Sequence, residues 1–143
     1  MDRDCELPVS ELNKCAQYVY QLLEPAKSED AWHSLVEAGK RVVPFLIRMY
    51  RATPEPTIRA QLVSVINQHR LPETIDFLAE ALIETPQVWK NALDGFVTIG
   101  GPKAIAALEA AKQRFRPDHQ ADAEEIAWID EAIQQIRDEE SQP

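Results

Sequence analysis

The residues of this chain best equipped for chemistry are three histidines and two cysteines, and their spacing gives them little to do together. His33, His69 and His119 fall in separate segments. Glu29 and Asp30 precede His33 by four and three positions, which puts the group on one helix face. No HExxH, Cys/His cluster or paired-histidine-plus-carboxylate spacing completes a metal site. Cys5 and Cys15 form no CxxC pair and read as reduced thiols of a cytosolic protein. Ser10, Ser28, Ser34, Ser64 and Ser141 lack a nucleophile elbow. Gly100 and Gly101 are better explained as helix punctuation than as a phosphate loop. Glu124 and Glu125 are ordinary helix-surface charges. The expectation is a non-catalytic chain with no cofactor and no metal.

The binding signals are stronger. Glu73, Asp76, Glu80 and Glu84 are spaced 3, 4 and 4, which puts them in one stripe on one helix face. Like charges at that spacing repel by about 0.2–0.5 kcal/mol per pair. The stripe is therefore either a solvated face or a groove for a basic partner. Arg48 and Arg51 lie on the segment before it, and Lys103, Lys112 and Arg114 on a segment after it. A surface alternating in sign favours a patterned protein partner over a polyanion.

These groups must be positioned by helices. Over 7–24, Leu12, Cys15, Val19, Leu22 and Leu23 recur at helical spacing, with Ser10 as N-cap and Pro25 as the stop. Over 28–38, Ser28 is the expected N-cap and Trp32, Leu35 and Val36 the inner stripe, ended by Gly39. Over 42–52, Val43, Leu46, Ile47 and Tyr50 face inward, and Pro44 suits the first turn. Further helices are expected over 56–69 and 72–84, and then from Pro86 and from Pro102. In the last helix Ile126, Ile129, Ile133 and Ile136 make one apolar seam. No strand-type alternation of any length is present, so the class is all-α.

The spacing of the helix starts decides the architecture. Pro25, Pro56, Pro86 and Pro117 recur at intervals of 31, 30 and 31, and Pro72 and Pro102 at an interval of 30. Ile58, Leu62 and Ile66 match Val88, Ala92 and Phe96 at the same interval. Ile75 and Leu78 match Ile105 and Leu108 likewise. Two helices per period of about 30 residues is a solenoid signal, in which neighbouring hairpins bury each other's apolar faces. The hairpins are 26–55, 56–85 and 86–116, flanked by the 7–24 helix and a capping helix over 120–138, in one domain over 1–143.

The run Ile99-Gly100-Gly101-Pro102-Lys103-Ala104-Ile105-Ala106-Ala107-Leu108 resembles the turn and second helix of HEAT repeats, in their phycobilisome-lyase-like form. Val42-Val43-Pro44-Phe45-Leu46 and Ile58-Arg59-Ala60 echo it, so the resemblance spans about residues 28–116. The middle unit departs from it, with Asn67-Gln68-His69-Arg70 at its turn in place of glycine. The resemblance implies a right-handed α-α superhelix. HEAT-like proteins include scaffolds, adaptors, pigment-attaching lyases and a DNA glycosylase group, so the resemblance names a fold more than a function.

Trp89 is the departure that bears on binding. It occupies the position that Arg59 holds in the preceding unit, where the repeat places a charge. It is either an interface anchor or a ring packed over the junction between units. Trp128, at the edge of the last seam, is expected to pack as part of the end cap.

Charge narrows the partner. The net charge of −9 divides into −4 over residues 1–30, +4 over 31–70, −1 over 71–116 and −8 over 117–143. An acidic chain repels phosphate backbones, so nucleic acid is disfavoured. The basic middle, with Lys40, Arg41, Arg48, Arg51, Arg59 and Arg70, keeps a DNA-lesion reading open. No apolar run approaches the ~20 residues of a membrane span, and the first residues lack the pattern of a secretion signal. The leading expectation is a cytoplasmic protein–protein interaction module, an adaptor or a small immunity-like inhibitor. It would bind another protein of basic character on its concave face, through Glu73, Asp76, Glu80, Glu84, Trp89, Arg48 and Arg51. A bilin-lyase-like protein is the alternative, and self-association through an exposed end is a further expectation.

Overall fold

The computed structural model describes residues 7–82, 86–115 and 120–140. These hold eight α-helices and no strand: α1 (Val9–Gln21), α2 (Ser28–Glu37), α3 (Val43–Ala52), α4 (Pro56–Gln68), α5 (Ile75–Ala81), α6 (Pro86–Ile99), α7 (Gly101–Lys112) and α8 (Gln120–Glu140). Short 3₁₀ turns, Lys40–Val42 and Pro72–Thr74, lead into α3 and α5. The chain divides into two compact units, Met1–His69 and Arg70–Pro143. The division falls within the 56–85 segment, so α4 belongs to the first unit and α5 to the second.

In the first unit α4 is the most embedded element, packing against α1, α2 and α3. Ile58, Leu62, Val63, Val65 and Ile66 of α4 are buried, with Leu35 of α2 and Leu46 and Tyr50 of α3. Each such side chain contributes about 1.5–3 kcal/mol by leaving water. Pro56 opens α4 at N1, where its missing N–H removes no helix bond, and the Glu55 carboxylate caps the Thr57 N–H at 3.1 Å. The Trp32 indole N–H donates to Ser64 Oγ at 3.2 Å and ties α2 to α4, which leaves Trp32 half-buried. Arg59 Nε donates to the carbonyls of Tyr50 at 3.2 Å and Thr53 at 2.8 Å. Its guanidinium also lies 4.7 Å from the Tyr50 ring centroid. A cation at the negative end of α3 satisfies carbonyls that have no helical partner.

Some helix ends differ from expectation. α1 starts at Val9 on the carbonyl of Pro8, which accepts from the Glu11 and Leu12 N–H groups, so Ser10 is not its cap. Beyond Gln21 the chain turns, and Leu23 is exposed while Leu22 stays buried. Lys27, not Ser28, is the cap residue of α2.

In the second unit α6 packs against α5, α7 and α8, and α7 against α5, α6 and α8. α6 buries two adjacent rows, Val88, Ala92 and Phe96 in one and Trp89 and Leu93 in the other. A helix with a single neighbour would need only the first row. α8 answers with Ile129, Ala132, Ile133 and Ile136 buried, and Ile126 half-buried. Lys112–Asp130 at 2.7 Å and Arg137–Glu109 at 3.4 Å bridge α7 and α8 on the exposed side, where solvent screens such pairs.

The turn that lacks glycine keeps a positive φ. Arg70 has φ 51° and is the one non-glycine with positive φ among the described residues. It stands 30 positions before Gly100, whose φ is 67°. Both positions thus take a positive φ, although the arginine side chain disfavours it.

Candidate partner-binding surface

The acidic stripe is shorter than its spacing suggests. Glu73 lies in the 3₁₀ turn, and only Asp76 and Glu80 share α5, because that helix begins at Ile75. Glu73 and Asp76 are exposed and Glu80 is half-buried. Glu84 lies outside the described residues. The second unit as a whole carries 15 acidic and 7 basic side chains, a net charge of −8. The first carries 9 and 8, a net charge of −1.

Arg48 and Arg51 are exposed on α3 in the first unit, while the acidic residues belong to the second. Lys40, Arg41 and Arg70 are exposed too, but Arg59 is directed at backbone carbonyls.

Trp89 is 5% exposed, which corrects its reading as an interface anchor. Its second-row position on α6 turns it toward α8, where its ring meets that of Trp128 at 6.0 Å and 80°. Trp128 is the accessible partner, 41% exposed, rather than a ring closed into an end cap. Lys90 Nζ stands 5.0 Å from the Trp128 centroid and 5.7 Å from that of Trp89. An exposed cation–π contact of this kind contributes about 0.5–1 kcal/mol. Sequence reasoning missed this cluster because Lys90 and Trp128 lie on different helices, far apart along the chain.

Beside the indoles a groove of about 110 Å³ runs between α6 and α8. Leu93, Val97 and Ala132 are its more buried residues, and Asp94, Trp128, Glu131 and Gln135 its exposed ones. Although the Asp94 residue is exposed overall, the groove shades its carboxyl from water and raises its pKa. A second groove, of about 270 Å³, lies between α1 and α2 and includes Glu11, Lys14, Cys15 and Ser34. Burial, with Glu11 adding to it, raises the Cys15 pKa and holds the thiol protonated. Both volumes fall below the roughly 300–1,000 Å³ of typical small-molecule sites.

The histidines are dispersed. His33 is exposed, 4.0 Å from Glu29 and edge-on to Trp32. His119 lies outside the described residues. His69 Nε2 is buried with no hydrogen-bond partner, and burial lowers the pKa of the ring. Below about pH 6.5, the unfolded chain takes up a proton that the folded one resists, so stability falls with pH. The His69→Gln variant should lose less stability than the parent between about pH 8 and about pH 5.5, measured as urea midpoints. An equal loss in both proteins would show that His69 is not the source.

Among the described residues no group of three or more histidine, cysteine or acidic side chains could hold a metal ion. Among them, too, no helix is long and apolar enough to cross a membrane. No protein-family model, curated protein or solved structure matches this chain.

Proposed function

We propose that this chain is a non-catalytic protein-binding module, a HEAT-like stack of helical hairpins whose acidic second unit captures a basic segment of a partner protein. The stacking is supported by the 30-residue interval between Pro56 and Pro86, which open α4 and α6, and by the matching positive φ at Arg70 and Gly100. The observation that carries the binding reading is the exposure of Glu73 and Asp76 in a unit of net charge −8. Their like charges repel one another, and a polycation relieves that repulsion on docking.

Titrating the full chain with a labelled arginine–lysine peptide tests this. Saturable binding is expected that weakens as salt rises from about 50 to about 200 mM. The D76K/E80K variant should bind about tenfold more weakly, which is about 1.4 kcal/mol, with unchanged circular dichroism. Absence of binding at the lower salt, or equal binding by the variant, would overturn the reading.

A further inference from the structure

The groove between α6 and α8 combines an aromatic wall, a defined volume and two carboxyl groups without a partner among the described residues. Trp128 stands three positions before Glu131 on α8, so both line the groove from one helix, and Asp94 faces it from α6. Leu93, Val97 and Ala132 supply an apolar floor. Neither Asp94 nor Glu131 makes a hydrogen bond or ion pair among the described residues. The volume of about 110 Å³ holds a few waters at about 30 Å³ each. That suits one planar headgroup with a methylene or two, and it is too small for a helix or a nucleotide.

We propose that this groove seats a single arginine side chain of the partner protein, its guanidinium against the Trp128 ring and between the carboxylates of Asp94 and Glu131. The assignment rests on the protein-binding reading above and names the contact within it. Charge complementarity selects a cation. The ring and the two carboxylates together select arginine, because a guanidinium stacks on an indole and forks to a carboxylate, whereas an ammonium is a more strongly hydrated point charge. Lys90 already lies over these indoles, so Trp128 accepts a cation within this chain. A guanidinium beside Asp94 also offsets the burial that disfavours its charged form. Arginine binding should therefore weaken as pH falls and the Asp94 carboxyl takes up a proton.

The test is a nuclear magnetic resonance titration of the full chain, reading the Trp128 indole N–H. Three otherwise neutral short peptides serve as probes, carrying one arginine, one lysine or one citrulline. The arginine peptide should shift the signal saturably, the lysine peptide at least about fivefold more weakly, and the citrulline peptide not at all. D94N and E131Q should each weaken the arginine response about fivefold or more, while E140Q, at the far end of α8, leaves it within about twofold. A silent Trp128 signal, or equal shifts from arginine and citrulline, overturns the proposal. Equal shifts from arginine and lysine overturn the choice of arginine. If Trp128 is silent while the polycationic peptide still binds and D76K/E80K still weakens it, the groove assignment falls alone. If Trp128 responds to arginine but D76K/E80K is without effect on the polycation, the α5 reading falls and the groove stands.

Discussion

Trp89→Ala is expected to destabilise the chain by about 3–5 kcal/mol, the cost of removing a large buried aromatic. At about 2–4 °C per kcal/mol for a chain of this size, the midpoint of thermal unfolding should fall by roughly 10 °C. Trp128→Ala, across the same ring contact, should cost only about 1–2 kcal/mol, because that ring is 41% exposed and loses the edge contact but little burial. Urea denaturation followed by circular dichroism separates the two. Equal costs would mean that Trp89 is not the buried member of the pair. The contrast has a functional side: Trp89 holds α6 to α8, and Trp128 is the ring left for a partner.

Gly100→Ala should destabilise by about 1–3 kcal/mol, for a different reason. Gly100 has φ 67° and ψ −166°, a region that side-chain-bearing residues rarely enter. An added Cβ would lie 3.8 Å from the Val97 carbonyl oxygen and 4.0 Å from Ile136 Cγ2, ordinary contact distances. The cost therefore resides in the backbone and not in crowding. Arg70→Gly is the converse change. It should stabilise by up to about 1 kcal/mol, the left-handed penalty of about 1–2 kcal/mol less the greater freedom of glycine in the unfolded chain. A neutral Gly100→Ala, read from the same denaturation curves, would refute the account of this turn.

The helices were the most legible part of the chain. Proline at helix starts and apolar residues at 3–4 spacing are local signals, and a helix closes its backbone hydrogen bonds locally. That is why Pro56 and Pro86 open α4 and α6 as read, and why Ile129, Ile133 and Ile136 are buried together. Expectations were less reliable where a cap had competitors. Pro8 and Lys27 take the cap positions that Ser10 and Ser28 were expected to fill, and α5 yields its first turn to a 3₁₀ segment. The acidic stripe was legible as composition and was cut short by that change of helix type.

The amino-acid order by itself determined the all-helical class, the regular interval between helix starts and the gathering of negative charge toward the C-terminal half. Each depends on residues close in the chain or on a simple count. Only the tertiary structure decided which residues of the indole cluster are accessible. Trp89 and Trp128 have the same side chain, and nothing local distinguishes a buried indole from a half-exposed one. The difference arises because Trp89 lies in the second buried row of α6, in ring contact with α8, while Trp128 stands at the margin of α8's contact. The same packing brings Lys90, Asp94 and Glu131 around the indoles, a juxtaposition that no spacing along the chain encodes.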